Sequence, residues 1–196
     1  MPRSSLLTVA WLVLGCQAAA AEPACTPRPL PPAAASLPPR PAAHAITFAA
    51  TPSLDLPGRP WVVRISSRGS GGEGQLEILR LRRQFDCNRY DVEKSWEASL
   101  SADAVRAIVA SVLPLGVPAA DALWPLGGAA DVLSEVGTDG TGISLDLASF
   151  GAQVSRQMRH DGPAGHRVSA IFHDLVSRHV PAAELPTADW RMKRPS

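Results

Sequence analysis

Two apolar stripes at helical spacing, each stopped by a proline and preceded by strand-like alternation, constrain this chain more than any other feature. Val105, Ile108, Val109, Val112 and Leu113 recur at i, i+3, i+4, i+7 and i+8 ahead of Pro114. Ser101 stands where a helix N-cap is needed, Asp103 complements the positive end of the dipole, and Leu100 and Val105 occupy the two staple positions. The second stripe, Val168, Ile171, Phe172, Leu175, Val176 and Val180, predicts a helix over 164–180 that ends at Pro181. Proline stops both because it lacks the amide hydrogen and its ring clashes with the preceding turn.

The segments ahead of each stripe alternate with period two. Trp61, Val63 and Ile65 face one way, and Val62, Arg64 and Ser66 the other. A glycine-rich loop over 69–74 leads to a strand predicted over 75–85. Its apolar phase slips between Ile78 and Leu79, which points to a bulge or to burial on both faces. After a turn at Asp86–Arg89, Tyr90, Val92, Trp96 and Ala98 alternate with Asp91, Glu93, Ser95 and Glu97. Beyond the first helix a short strand over Val132–Val136, an Asp139-Gly140 hairpin, alternation at Ile143, Leu145 and Leu147, and a return strand over 154–159 follow. The fold class expected is α+β: an antiparallel sheet with two amphipathic helices on one face, in the pattern of a degenerate βββα-βββα repeat whose halves are joined by residues 114–131. One such domain is expected over 44–185, with 186–196 as a C-terminal tail.

The N-terminus is of another kind. Arg3 precedes the apolar run Leu6–Leu14, which has the parts of an export signal and is too short to span a bilayer. Val13-Leu14-Gly15-Cys16 resembles the lipobox of bacterial lipoproteins. The resemblance implies a signal over 1–15, acylation of Cys16 and, with Gln17 next, outer-membrane sorting facing the periplasm. Ala19-Ala20-Ala21 offers the alternative: an ordinary signal over 1–21, Cys16 lost with it, and a soluble periplasmic or secreted chain. Residues 16–43 then read as a Pro/Ala-rich spacer; eight prolines over 23–43 favour extended polyproline II and cannot build a core.

Of the three cysteines, Cys16 is lipidated or removed, which leaves Cys25 and Cys87. In an oxidising compartment the two are expected to pair, and neither has a second ligand at metal spacing. Once Arg3 is lost, eighteen basic residues balance eighteen acidic ones, so the chain as a whole has no electrostatic reason to bind nucleic acid or an anionic membrane; a membrane role is expected only through the lipid.

Chemistry-bearing motifs are few. Gly69-Ser70-Gly71-Gly72 lies between strands, so it is neither a nucleophile elbow nor a phosphate loop. His166 and His173 are two turns apart on one helix, too far for one metal, and with His160 and His179 they read as a polar helix face. Arg80 and Arg82 share a strand face opposite the acidic row Asp91, Glu93 and Glu97. Cross-strand ion pairs account for both rows; the functional alternative is a charged ligand-binding face of Arg80, Arg82, Asp91 and Glu93, with Trp124 nearby as a stacking surface. Trp190 either stacks on a sugar or covers an edge of the core.

No catalytic residue, metal or cofactor is therefore expected. The reading is an exported cell-envelope lipoprotein that binds an envelope protein or a small ligand. The alternatives are a secreted or periplasmic inhibitor or effector, and third an envelope hydrolase with a dispersed site.

Overall fold

The structure, a computed structural model, describes residues 33, 37, 42, 44–53, 59–67, 72–85, 87–116, 140–149 and 152–192. Six antiparallel strands form one sheet: β1 His44–Pro52, β2 Trp61–Ser67, β3 Gly74–Gln84, β4 Arg89–Leu100, β5 Thr141–Ser149 and β6 Ala152–Arg159. Two helices, α1 Ala102–Gly116 and α2 Pro163–Ser177, complete the α+β fold, and a short 3-10 turn, Ala182–Glu184, follows.

The strand order is β4-β3-β2-β1-β5-β6. The first four strands form a meander; α1 follows, and β5 returns to the free side of β1, with Phe48 opposite both Val63 and Leu145. β1 escapes the sequence pattern because alanines fill a third of HAITFAATP, yet it lies at the centre of the sheet. The first half thus has four strands where three were expected. The strand expected over Val132–Val136 lies outside the described residues, as does Asp139.

Both helices lie over one sheet face. Ile46, Phe48, Trp61, Val63, Ile65, Leu76 and Ile78 meet Val112, Val168, Phe172 and Val176 in a single buried cluster. Phe48 and Phe172 stack with ring centroids 4.5 Å apart. α1 begins as expected: the Ser101 hydroxyl accepts from the Ala104 amide at 3.3 Å. Pro114 does not end it, however, because a proline in the last turn removes one bond and the helix closes two residues later at Gly116. α2 ends at Ser177, before the expected 180, and Val180 is still buried in the core. Gly74 and Gly165 let backbone come close. A Cβ at Gly74 would sit 2.6 Å from the Val105 Cγ2, and one at Gly165 would sit 1.9 Å from the Arg159 carbonyl oxygen.

The opposite sheet face carries a second cluster, Ala49, Val62, Leu79 and Leu81, with Tyr90 beside it. Two residues of the Pro/Ala-rich stretch lie on it: Ala33 is buried and Leu37 packs alongside. Both lie within the expected spacer, and at these two positions small and aliphatic side chains cover apolar sheet surface. β3 is consequently buried on both faces, which accounts for the slipped apolar phase at Ile78 and Leu79.

The domain also extends beyond 185. Trp190 is fully buried, packed on Phe48 at 4.7 Å and edge-on to Trp61 at 6.4 Å. It adopts a left-handed backbone, φ 65°, rare for a bulky residue and held here by its burial. Of the residues expected to form a tail, Trp190 therefore belongs to the core and Met192 packs against it.

Candidate functional site

The most connected polar cluster among the described residues is built where β3, β4 and the 3-10 turn meet. The strand register shifts between Arg80 and Leu81: Arg80 faces Lys94 while Leu81 faces Val92, so Glu93 is an extra residue on β4. This bulge breaks the alternation expected for β4. Trp96 and Ala98 pack on the helix-side core, whereas Tyr90 lies against the opposite cluster and Val92 is exposed.

The bulge brings the Glu93 carboxylate to Arg80, whose Nε donates to Oε2 at 2.9 Å. The Arg80 guanidinium, its side chain 8% exposed, also donates from Nη1 to Glu184 Oε2 at 3.5 Å and stands 5.9 Å over the Trp61 ring. Lys94 Nζ donates to the same Glu184 oxygen at 2.6 Å, and Arg59 Nε lies 3.7 Å from Glu93 Oε2. Trp61 in turn stacks on Trp96 at 5.7 Å. A buried guanidinium is tolerable only with such partners, since removing one leaves a charge out of water and unpaired. The cluster clasps the 3-10 turn to the sheet, and each carboxylate already lies within ion-pair distance of two cations.

Of the residues expected to form a charged face, Arg80 and Glu93 are therefore joined, inside the fold. Arg82 stands opposite Asp91 in the strand register but is exposed. Asp91 pairs with Arg89 instead, Oδ1 to Nε 3.1 Å. Trp124 lies outside the described residues. Arg59, Lys94 and Glu184 were not anticipated; Glu184 comes from about a hundred residues along the chain, and no local pattern links it to Arg80.

A second polar group holds the C-terminal segment. His160 Nε2 lies 3.1 Å from the Ala188 carbonyl oxygen and His173 Nε2 3.3 Å from that of Pro186. A carbonyl only accepts, so each ring carries its proton on Nε2. His173 also stands edge-on to Trp190 at 5.8 Å, and His160 to His166 at 5.8 Å. The sequence places these histidines on a polar helix face; two of them instead reach the backbone of the segment that leads into Trp190. Beside them the Thr187 hydroxyl donates to the Asp189 carboxylate, and Arg191 Nε lies 3.1 Å from Asp189 Oδ2. Burial pushes the Asp189 carboxyl up, but the Thr187 hydroxyl, Arg191 and backbone amides together outweigh it and hold the group below its ordinary range. Asp161 is lowered too, chiefly by its hydrogen bonds from Arg159. Among the described residues no group of three or more His, Cys, Asp or Glu is arranged to hold a metal ion.

The remaining feature is the turn between β3 and β4. Cys87 is half-buried there. Phe85 is 51% exposed, with the Arg83 guanidinium 4.9 Å from its ring centroid, and Val92 is 49% exposed. Cys16 and Cys25 lie outside the described residues. Among the described residues no helix is long and apolar enough to cross a membrane. Compared with known protein families, curated proteins and solved structures, the chain matches none.

Proposed function

We propose that this chain is an exported bacterial envelope protein, anchored in the outer membrane through a lipid on Cys16 and facing the periplasm, whose domain binds a partner rather than catalysing a reaction. The observation that carries the binding role is the distribution of its side chains. The charged groups at Arg80 are consumed by one another beneath the 3-10 turn, while aromatic, aliphatic and arginine side chains stand outward at the β3–β4 turn. Such a surface suits contact with a broad partner better than enclosure of a substrate.

Within this reading Cys25 pairs with Cys87. One observation supports the pairing: Ala33 and Leu37, which follow Cys25 in the chain, pack with Leu81 and Tyr90 on the sheet face that leads to that turn. The bridge ties the N-terminal stretch to the domain and closes a long loop, worth about 4 kcal/mol on chain-entropy grounds.

The intact mass of the protein, purified from its own host without reductant, tests both parts. A chain that begins at Cys16 and carries acyl groups supports the anchor. A chain that begins near Glu22 without lipid overturns it and favours a free inhibitor or effector. Reduction that adds two hydrogens supports the bridge, and no gain overturns it.

A further inference from the structure

We propose that the β3–β4 turn is a second membrane contact, in which Phe85 and Val92 enter the interface of an anionic phospholipid bilayer and Arg82, Arg83 and Arg89 meet its headgroups. The inference rests on the anchor and the Cys25–Cys87 bridge proposed above and adds a surface to them.

Three observations converge on this turn. The first is apolar exposure: Phe85 is the most exposed large hydrophobic side chain among the described residues, at 51%; Val92, on the adjoining strand opposite Leu81, is 49% exposed, as is Leu113 on α1. A single exposed apolar side chain is ordinary; what sets this one apart is its place on a turn among arginines. The second is the cationic surround. Arg83 stacks on the Phe85 ring and is steadied by Asn88, whose Oδ1 accepts from Nη2 at 2.8 Å, so ring and guanidinium form one amphipathic unit. Arg82 is exposed and makes no ion pair among the described residues, and Arg89 is 60% exposed beside its partner Asp91. The near-neutral charge of the whole chain conceals this group. Asp86 and Asp91 offset much of it, leaving an excess of one positive charge over 82–91, so the apolar side chains and the tether carry part of the contact.

The third is chain length. Only nine peptide steps separate Cys16 from Cys25, a reach of at most about 30 Å. A bridge to Cys87 therefore holds this turn, of all parts of the domain, closest to the lipid. The far end of β4, near Leu100, stands on the order of 35–40 Å further along the strand. The prolines do not set the domain's distance from the membrane; the short segment before Cys25 does. A contact of one aromatic ring and a few arginines is weak alone and becomes effective when a lipid anchor supplies the local concentration.

The test uses the acylated, oxidised protein in vesicles of phosphatidylcholine alone and of phosphatidylcholine with phosphatidylglycerol. Backbone hydrogen exchange is read over 82–92. Several-fold slower exchange in the anionic vesicles is expected, reverting to the neutral-vesicle rate in Arg82→Glu/Phe85→Ser, with β1 and β5 unchanged as the control for folding. Equal rates in both vesicles and in detergent overturn the proposal and leave the turn to a protein partner. If the intact mass shows no lipid, the anchor reading fails separately. The surface is then judged by cosedimentation of the unacylated chain with excess anionic vesicles: pelleting that Phe85→Ser abolishes sustains it, and no pelleting overturns it.

Discussion

The ring of Trp190 lies 4.7 Å from that of Phe48, so the last described turn of the chain is packed on its first strand. Trp190 is completely buried and holds a left-handed backbone, with His160 and His173 on the carbonyls before it. Trp190→Ala is expected to destabilise the fold by about 3–5 kcal/mol, in the range for emptying a large core site. Trp190→Gly relieves the backbone and still loses the ring, so it is expected to fall close to alanine. Urea unfolding of the three proteins checks this; a change below about 1 kcal/mol would show that the segment is not part of the core.

Arg80 is held by two carboxylates inside the fold, and the loss of either side should be asymmetric. Arg80→Ala leaves Glu93 and Glu184 facing Lys94 and Arg59 alone and strips the face of Trp61. A cost of about 3 kcal/mol is expected for breaking a buried pair. Glu93→Gln keeps the shape and should cost less, because Glu184 still binds the guanidinium. A double-mutant cycle on the two is expected to give a coupling of about 1–2 kcal/mol.

Asp189 makes the C-terminal segment sensitive to acid. Its carboxyl is held below the ordinary value of 3.8, so the folded state binds its proton less readily than the unfolded state. The stabilisation is complete above the unfolded value and is lost as pH falls through the folded one. Trp190, one residue away, should report the loss as a fluorescence change at pH below about 4. Asp189→Asn is expected to flatten that limb and leave the neutral-pH signal unchanged. A limb identical in the variant would assign acid sensitivity elsewhere, with Asp161 the next group to replace.

Gly74 and Val105 should be exchangeable only together. A Cβ at Gly74 meets the Val105 side chain at 2.6 Å, so Gly74→Ala is expected to cost about 1–3 kcal/mol by overpacking. Adding Val105→Ala removes the opposing methyl and should recover part of that loss. Gly165→Ala has no such rescue, because its neighbour at 1.9 Å is the Arg159 backbone.

The helices and five of the six strands were legible because their periodicities are local. Val112, Val168, Phe172 and Val176 are buried where the stripes place them, and Ser101 caps α1. β1 was not legible, since a strand covered on both faces by neighbours can be made of alanine and needs no alternation. The Glu93 bulge was displaced in the reading: the apolar slip belongs to β3, while the extra residue belongs to β4. Glu184 and Trp190 were out of reach for a different reason. Their partners lie on strands a hundred residues away or more, Arg80 for Glu184 and Phe48 for Trp190, and only the closed sheet brings them together.

The position of β1 also governs when this sheet can exist. Its partner β5 begins at Thr141, so one side of the first strand stays bare while about ninety residues more are made. At ribosomal speed that is on the order of 5–20 s. Until then Ile46, Phe48 and Ala50 belong to an open edge that any other strand can pair with. Distant pairings also close slowly, because the loop entropy falls due before the contacts reward it. A chain of this topology has a vulnerable youth, and whatever shields β1 in that interval decides its yield as much as any contact in the finished fold.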